Sequence, residues 1–363
     1  MLQKIERVRN PMGILEDKFG VPPFSILDTK QKYWIDRKKE WLALGINSEI
    51  GREGVEDLWK NQEWLDEHDK GGKNTSGSGI SVFDPVVCEL TYKWFCPPNG
   101  SILDPFAGGS VRGIVASKLG YKYTGIDLRE VQMKANIENF NEIDNLKTKP
   151  RWIMGDSTNI HNLVAEKTDL IFSCPPYHDL EKYSDDPKDL SNMTYADFKI
   201  SYREIIKRSV SMLKMNRFAV FIVGEIRGED GFYKNFVHET ISMFLDAGMK
   251  FYNDIILVAP VASMSLRVDK QFTPTRKIGK IHQNMLVFYQ GSTEALDSLK
   301  NNPKFFTPLN EIKCDKMIID PNEVIIPPTT ITCDICGTVT KDQEAFDAHL
   351  LRQFHKDATD RYI

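Results

Sequence analysis

The sequence predicts an α/β fold in which a doubly wound, mostly parallel sheet of seven strands precedes a small metal-stabilised tail. From residue 83 onward, short apolar runs alternate with longer amphipathic runs, which is typical of βαβ units. This alternation fades after residue 290, where prolines accumulate. Four metal-ligand side chains then follow at regular spacing near the C-terminus.

The individual elements follow from these runs. We predict strands at 101–103, 122–126, 152–154, 170–173, 218–223, 255–258 and 285–288. We predict helices at 29–44, 86–95, 111–119, 130–141, 195–213 and 232–247. In such sheets ligands bind beyond the carboxyl ends of the strands, so we expect the functional site there.

Four segments divide the chain. Residues 1–74 are predicted to be an N-terminal helical extension ending in a flexible Gly/Ser-rich segment, and residues 75–290 form the core. Residues 291–330 carry five prolines and predict an extended linker. Residues 331–363 form the metal-stabilised tail.

Composition excludes several classes of protein. With 41% hydrophobic and 27% charged residues among 363, the chain is in the ordinary globular range. The net charge of −4 provides no general attraction for nucleic acid, and six cysteines are too few for a disulfide framework. No apolar run is long enough to span a membrane. We therefore expect a soluble cytoplasmic protein with reduced thiols and no membrane partner.

The first predicted site element is the glycine-rich turn in 101–110, SILDPFAGGS, which contains Asp104, Phe106 and Gly108. Glycines let the backbone approach a ligand closely, and the N–H groups of the following helix can bind an anion. The segment matches neither the G-x-G-x-x-G dinucleotide pattern nor the P-loop.

Two acidic residues follow the next strands. Asp127 ends the second predicted core strand, where a carboxylate can accept hydrogen bonds from both ribose hydroxyls of a nucleoside. Asp156 follows the third and could receive the amino group of adenine. Either residue could instead be an ordinary turn or helix cap.

The fourth predicted strand ends in a rigid turn formed by Cys174, Pro175, Pro176 and Tyr177. The two prolines fix the backbone so that a carbonyl can face a substrate amine, and Tyr177 offers a ring on which a planar base can stack. A simple strand terminator would have the same local pattern.

In this order the four elements resemble the amino-methyltransferases, which transfer a methyl group from S-adenosylmethionine to an exocyclic nitrogen of adenine or cytosine in DNA. The resemblance covers about residues 75–290, and the sequences of 21–46 and 173–191 resemble phage and prophage DNA methylases, a group that includes restriction-modification enzymes. It implies that Asp104, Phe106 and Gly108 hold the methionine part of S-adenosylmethionine and that Asp127 holds the ribose.

The same resemblance implies the catalytic side of the site. Cys174, Pro175, Pro176 and Tyr177 would hold a target base that is flipped out of duplex DNA. The carbonyl oxygens of Cys174 and Pro175 would accept the amino hydrogens, and Tyr177 would stack on the base. Because the reaction depends mainly on alignment, positioning can contribute roughly 7 to 11 kcal/mol.

Two positions depart from the family pattern and keep other functions open. Ser110 replaces a glycine, and Cys174 stands where the family has Asp, Asn or Ser. Cys174 could be a nucleophile of the cytosine C5 type, although that family has a Pro-Cys order. Two further functions stay open, namely an RNA methyltransferase on the same core and a catalytically silent nucleic-acid-binding protein.

A basic segment separates the last two predicted strands. It contains Arg267, Lys270, Arg276, Lys277 and Lys280, and we predict that they contact the phosphates of DNA. A solvated surface loop would carry the same residues. The acidic segment 183–191 is predicted to be a lid over the site.

The tail has the spacing C-x2-C-x12-H-x5-H, formed by Cys333, Cys336, His349 and His355. This set suits structural Zn²⁺, and the wide histidine spacing resembles matrin-type fingers, which are associated with double-stranded RNA. Six acidic residues against four basic ones in 333–363 disfavour phosphate binding. Contact with a protein partner, stabilisation of the tail and DNA reading are all open as roles of the finger.

Overall fold

The computed structural model describes most of the predicted core. The residues it describes are 15–16, 18–47, 56–57, 83–178, 181–259, 261, 264–292, 294–296, 309–321, 324, 331–332 and 339–340. Every structural statement below refers to these residues.

Eight strands form the main sheet, and helices connect most of them. The strands are β1 (Ile26–Asp28), β2 (Ser101–Asp104), β3 (Lys122–Asp127), β4 (Arg151–Met154), β5 (Thr168–Ser173), β6 (Leu213–Val223), β7 (Lys250–Val258) and β8 (His282–Gln290). The helices are α1 (Lys32–Leu42), α2 (Pro85–Phe95), α3 (Val111–Leu119), α4 (Glu130–Glu142), α5 (Ile160–Leu163), α6 (Tyr195–Ser211), α7 (Phe236–Asp246) and α8 (Met264–Thr275).

The strand order is β1-β7-β8-β6-β5-β2-β3-β4. Only β8 runs antiparallel to its neighbours in this sheet. The chain builds outward from β2 through β3 to β4, then crosses back to β5 on the other side of β2. The crevice between the carboxyl ends of β2 and β5 is therefore the topological switch point, where ligands bind in such sheets.

The sheet is covered by helices on both faces. Along β6, Phe218, Val220 and Ile222 pack into the cluster that contains α1 to α4, whereas the alternate residues Phe221 and Val223 pack into the cluster with α6 and α7. This period-two alternation is what a strand between two layers requires. The predicted doubly wound α/β architecture is confirmed for the described residues.

Besides the unpredicted short helix α5 and shifts of a few residues at helix ends, the structure differs from the prediction in three ways. An eighth strand, β1, comes from the N-terminal extension and pairs in parallel with β7, Ile26 lying opposite Ile256. The basic segment, for which no helix is predicted, contains the 12-residue helix α8. Strands β6, β7 and β8 are also longer than their apolar runs, because β-pairing with neighbours extends each strand beyond its buried part.

Helix α1 is joined to the core by a buried ionic network around Glu89 of α2. The fully buried Glu89 carboxylate accepts hydrogen bonds from Arg37 at 2.8 Å, Trp41 Nε1 at 2.7 Å and Lys93 at 2.9 Å. Burial raises the pKa of Glu89, but these partners outweigh burial and hold the pKa below the ordinary value. The extension is therefore part of the folded core.

A strap formed by residues 309–321 crosses the outer side of α3 and α4. The Asn141 side chain donates to Ile319 O at 2.7 Å and accepts from Ile319 N at 2.8 Å. Leu309 and Ile319 are buried in the core cluster. This part of the predicted linker is thus held against the sheet domain by both hydrogen bonds and apolar contact.

Little of the tail falls within the described residues. Ile331–Thr332 and Val339–Thr340 form a two-stranded antiparallel pair. Cys333, Cys336, His349 and His355 lie outside the described residues. Within the described part of the chain, no helix is long and apolar enough to cross a membrane.

Candidate active site

A cavity of about 580 Å³ opens at the carboxyl ends of β2 to β6, at the switch point of the sheet. Eight of the nine predicted core site residues line it: Phe106, Gly108, Asp127, Asp156, Cys174, Pro175, Pro176 and Tyr177. Its volume is in the range of small-molecule sites. The cavity therefore brings the two predicted halves of the site together.

Asp104 is the ninth residue, and it lies beneath the cavity rather than in its wall. Its fully buried carboxylate accepts hydrogen bonds from Arg112 Nε at 2.5 Å, Tyr123 Oη at 2.7 Å and Ser173 Oγ at 2.5 Å. Ser173 ends β5, so these bonds tie the ends of β2 and β5 together. Asp104 therefore supports the cavity from below by holding the ends of β2 and β5 in place.

Arg112 of α3 fixes the backbone of the glycine-rich turn. One guanidinium nitrogen, Nη2, donates to the carbonyl oxygens of Phe106 at 2.6 Å and Ala107 at 2.8 Å. Gly108, with φ of +48°, follows in the left-handed region that favours glycine. Because buried Arg112 is neutralised by Asp104, the turn is held by a satisfied ion pair.

Asp127 connects the end of β3 to the glycine-rich turn. Its two carboxylate oxygens accept hydrogen bonds from Gly108 N at 2.9 Å and Arg129 N at 3.0 Å. Burial raises the pKa of Asp127, and these backbone bonds only partly oppose the increase. Each carboxylate oxygen has more than one lone pair, so the residue can still accept from a ligand hydroxyl.

Asp156 caps the short 3₁₀ turn after β4, accepting from Thr158 N at 2.8 Å. This is the capping role that sequence reasoning left open for an aspartate at this position. The residue also lines the cavity, and its backbone neighbour Gly155 N donates to Asp127 O at 2.9 Å. Capping and ligand contact are therefore compatible at this position.

Tyr177 is held at the cavity wall by a residue from a distant strand. Gln283 Nε2 of β8 donates to Tyr177 Oη at 2.6 Å, and Cys174 Sγ lies 3.9 Å from the same hydroxyl. The Tyr177 ring packs edge-on against Phe236, with centroids 6.1 Å apart. Burial raises the pKa of Tyr177 well above the ordinary value, so it remains a neutral phenol.

The N-terminal extension also contributes to the wall. Thr29, which follows β1, and Lys38 of α1 both line the cavity. Thr29 Oγ1 donates to Val258 O at 2.8 Å, and Lys38 Nζ lies 3.0 Å from Asp84 Oδ2. Segment 183–191, predicted as a lid, likewise supplies Tyr183, Asp189 and other lining residues.

Ser110 has a specific partner in this chain. Its hydroxyl donates to Asn139 Oδ1 at 2.8 Å, and the Asn139 amide donates to Gly45 O at 2.9 Å. Asn47 N donates to the same Asn139 oxygen at 3.0 Å. Ser110 therefore links the glycine-rich turn to the N-terminal extension through Asn139.

The basic segment lies beside the turn at 227–233, which follows β6. Arg227 stacks on Tyr233 at 4.0 Å, and the Lys277 side chain lies against Gly231 of this turn. Lys270 and Arg276 are exposed, whereas Lys277 and Lys280 are partly buried. Arg267 belongs to α8, and its side chain is outside the described residues.

Sequence reasoning missed several lining residues. Arg112 had one local signal, a basic residue in an apolar helix that begins just after the glycine-rich turn. Gln283 and Lys38 had no local signal, because the residues that they contact lie 106 and 46 positions away in the chain.

The described residues contain no group of three or more His, Cys, Asp or Glu side chains that could hold a metal ion.

No known sequence family matches the chain, and no curated protein does. Among solved structures, TrmN from Thermus thermophilus has 13% identity over 57% of this chain, with a TM-score of 0.37, and the match spans 49% of TrmN. The match to a TehB-like SAM-dependent methyltransferase from Corynebacterium glutamicum has 15% identity, covers 59% of this chain and 90% of that one, and has a TM-score of 0.35.

A third similar structure is TTHA0409 from Thermus thermophilus, described as a candidate DNA modification methylase. The match has 14% identity and a TM-score of 0.28, and it covers 38% of this chain and 51% of TTHA0409. Likenesses at this level assign neither activity nor substrate to this chain. The fold and the cavity define an α/β protein whose candidate site lies at the topological switch point of the sheet.

Proposed function

We propose that this protein is an S-adenosylmethionine-dependent methyltransferase acting on the exocyclic amino nitrogen of adenine or cytosine in DNA. The observation that carries the proposal is one cavity that contains Asp127 and the Pro175–Pro176–Tyr177 turn together. Asp127 suits a nucleoside cofactor, and the turn suits a planar base. The reaction needs both ligands side by side.

The residues on the β2 and β3 side fit the cofactor. Asp127 would accept hydrogen bonds from the ribose hydroxyls, while the glycine-rich turn fixed by Arg112 leaves room for the methionine part. Asp156 would accept the amino group of adenine. When bound, S-adenosylmethionine supplies an electrophilic methyl group.

On the other side, the turn after β5 would hold the target. Tyr177, fixed by Gln283, would present its ring to the base, and the carbonyl oxygens of Cys174 and Pro175 would accept the amino hydrogens. These acceptors would orient the nitrogen lone pair toward the methyl group. The nitrogen–carbon bond would form as the sulfur–methyl bond breaks, S-adenosylhomocysteine would leave, and the surplus amino proton would pass to solvent. Alignment would then be the main contribution of the protein.

A polynucleotide target is supported by the surface next to this turn. Residues 227–233 carry Arg227 and the exposed Phe232 and Tyr233, and they contact the basic segment through Lys277. Basic and aromatic side chains together suit phosphates and unstacked bases. We propose that Arg267, Lys270, Arg276, Lys277 and Lys280 contact the DNA backbone.

Nucleoside analysis tests the proposal. The protein is incubated with S-adenosylmethionine and unmodified duplex DNA of mixed sequence or, separately, duplex RNA; each is digested and analysed by mass spectrometry. N6-methyladenine or N4-methylcytosine in DNA is expected. Methylation of RNA alone would establish the RNA enzyme instead, and 5-methylcytosine would establish Cys174 as a nucleophile.

For the tail we propose structural Zn²⁺ bound by Cys333, Cys336, His349 and His355. The antiparallel pair Ile331–Thr332 and Val339–Thr340 brackets both cysteines, as the hairpin of a ββα finger would. Elemental analysis should give one zinc per chain, reduced in the Cys333→Ser variant. Equal zinc content in both proteins would contradict the assignment.

A further inference from the structure

His178 follows Tyr177 directly in the chain, yet it does not line the cavity. Its side chain is buried, and its φ of +49° is in the left-handed region, which residues other than glycine seldom adopt. Such a backbone conformation persists only where the surrounding contacts hold it. The packing of the His178 ring therefore stabilises the end of the turn that contains Tyr177.

Both ring nitrogens of His178 have partners from other elements. Lys234 Nζ lies 3.2 Å from Nδ1, and the carbonyl oxygen of Met193 lies 2.9 Å from Nε2. Because an ammonium group has only donors, Nδ1 accepts from Lys234, and Nε2 carries the hydrogen that is donated to Met193. The two contacts together define one tautomer of the ring.

The two partners belong to different parts of the site. Met193 lines the cavity just beyond the lid segment 183–191. Lys234 lies at the base of the turn at 227–233, where its backbone N–H donates to Ile226 O at 2.8 Å. The imidazole therefore joins the turn after β5 both to the lid and to the surface proposed to contact DNA.

Aromatic packing holds this imidazole and ammonium in place. The rings of Tyr195 and Phe198, at the start of α6, each pack edge-on against His178, with centroids 5.3 Å away. Lys234 Nζ lies 4.9 Å from the centroid of the Tyr195 ring, and Tyr195 Oη donates to Lys234 O at 3.2 Å. Moving His178 away from Lys234 would disrupt several of these contacts at once.

We propose that His178 is a positioning residue, which together with Lys234 holds Tyr177 and the lid in the geometry that the target base requires. This inference rests on the proposed function and deepens it, because it connects the surface proposed to contact DNA with the turn proposed to hold the base. A misplacement of about 1 Å can cost roughly 100-fold in rate. Loss of the link should therefore lower kcat, while cofactor and DNA still bind.

Steady-state kinetics of His178→Asn provide the test. Asparagine adopts the left-handed region more readily than most residues, so this variant removes the ring contacts without adding backbone strain. The full chain is assayed with S-adenosylmethionine and unmodified duplex DNA of mixed sequence. We expect kcat to fall roughly 10- to 100-fold. The KM for DNA and the dissociation constant of S-adenosylmethionine, measured by calorimetry, should stay within about threefold of the wild-type values.

Variants of Lys234 test the same link from its other end. Lys234→Met removes the donor to His178 but keeps an apolar side chain against Tyr195, and it should lower kcat without changing cofactor affinity. Lys234→Arg keeps a charged donor and should recover most of the rate. Adding Lys234→Met to His178→Asn should cause little further loss, because both changes remove one shared contact.

Lys199→Met is the matched control. Lys199 Nζ also lies near the Tyr195 ring, 5.5 Å from its centroid, but it forms an ion pair with Glu239 at 3.3 Å. This variant removes a cation from the same ring and leaves the His178 contacts in place. It should therefore keep the wild-type kcat.

Two results would overturn the inference. One is a wild-type kcat in His178→Asn. The other is a parallel loss of cofactor affinity and kcat in that variant, which would indicate a general structural effect. A wild-type protein that methylates no polynucleotide would instead remove the proposed function itself, so this failure is distinguishable from the first two.

Discussion

Asp104 and Asp127 both end parallel strands, yet their surroundings give them different tasks. Asp104 is completely buried and is neutralised by Arg112, so its hydrogen-bonding capacity is used inside the protein. Asp127 lines the cavity, and its described hydrogen bonds come from backbone N–H groups of Gly108 and Arg129. Of the two, Asp127 is therefore the residue expected to meet a ligand.

Cofactor affinity should depend on pH through Asp127. Burial raises its pKa above the ordinary value of about 3.9, and the carboxylate form is the stronger acceptor for ribose hydroxyls. Acidification should therefore weaken S-adenosylmethionine binding at a higher pH than an ordinary aspartate would require. Titration of the dissociation constant from pH 8 downward measures this effect.

In the Asp127→Asn variant the affinity should be lower, and this pH dependence should disappear. Asp127→Ala should lose roughly 100-fold in affinity, since two hydrogen bonds to a charged acceptor are removed. A pH dependence that persists unchanged in Asp127→Asn would assign the titrating group to another residue.

Removal of the Tyr177 ring should reduce methylation strongly. Stacking of a base on an aromatic side chain contributes about 1 to 3 kcal/mol, so Tyr177→Ala should lose roughly 10- to 100-fold in kcat/KM for DNA. Tyr177→Phe keeps the ring and loses the hydroxyl contacts with Gln283 and Cys174, so it should retain most activity. Steady-state kinetics at saturating S-adenosylmethionine compare the two variants.

The Gln283→Ala variant separates orientation from stacking. It removes the donor to Tyr177 but leaves the ring, so it should resemble Tyr177→Phe. Full activity of Tyr177→Ala would show that the base does not stack on this residue.

At the level of elements, the contact of α1 with α2 explains why an extension of the chain belongs to the core. Trp34 and Trp41 are fully buried, and both indole N–H groups donate to carboxylates of the Asp84–Glu89 region. Two large side chains and a satisfied ionic network are thus shared by the two helices. Neither helix can expose this face to water without a large cost.

Breaking this network should destabilise the whole protein. Arg37→Met leaves the buried Glu89 with fewer partners, and the expected loss is roughly 3 to 5 kcal/mol in the free energy of unfolding. Urea unfolding at pH 7 measures it. Adding Glu89→Gln to Arg37→Met should recover part of the loss, because the uncompensated buried charge is removed.

The pH dependence gives this prediction a second readout. The pKa of Glu89 is below its ordinary value, so its stabilising effect is present above about pH 4.3 and is lost as the pH falls through the lower, folded-state pKa. The difference in the free energy of unfolding between wild type and Arg37→Met should shrink over that acidic range.

Lys39→Met is the control for this prediction and should change stability by less than about 0.5 kcal/mol. Simple additivity of Arg37→Met and Glu89→Gln would contradict the shared network.

At the level of the whole molecule, hydrogen bonds and apolar contacts hold the strap at 309–321 against the sheet domain. Asn141 binds both backbone groups of Ile319, and Asn145 Oδ1 accepts from Cys314 N at 3.2 Å. Two positions of the strap are therefore hydrogen-bonded to α4 and to the segment that follows it.

Asn141→Ala should loosen the strap and leave the sheet intact. The loss of two hydrogen bonds should accelerate amide exchange at Ile319 by roughly 10-fold or more, whereas exchange in β2 and β5 should not change. Hydrogen exchange followed by mass spectrometry measures both regions. Glu142→Ala, at the exposed end of α4, is the control and should affect neither. Equal protection in wild type and Asn141→Ala would mean that apolar contacts alone hold the strap.

The sequence by itself determined the α/β class, the order of the core strands along the chain and eight of the residues that line the cavity. These features can be predicted because they are local in the chain. Apolar periodicity identifies the strands, and each site motif follows its strand directly, as the Cys174–Tyr177 turn follows β5. Because parallel strands present their carboxyl ends at one edge, motifs at strand ends were expected to meet.

Tertiary structure alone decided the rest. The pairing of β1 with β7, the burial of Asp104 beneath the cavity, and the approach of Lys38 and Gln283 to its wall all depend on contacts between distant segments. A strand of three residues has too few positions for a periodic signal, and a polar side chain has the same local pattern whether it faces solvent or a cavity. Which of these side chains reach the site is fixed only when the layers pack.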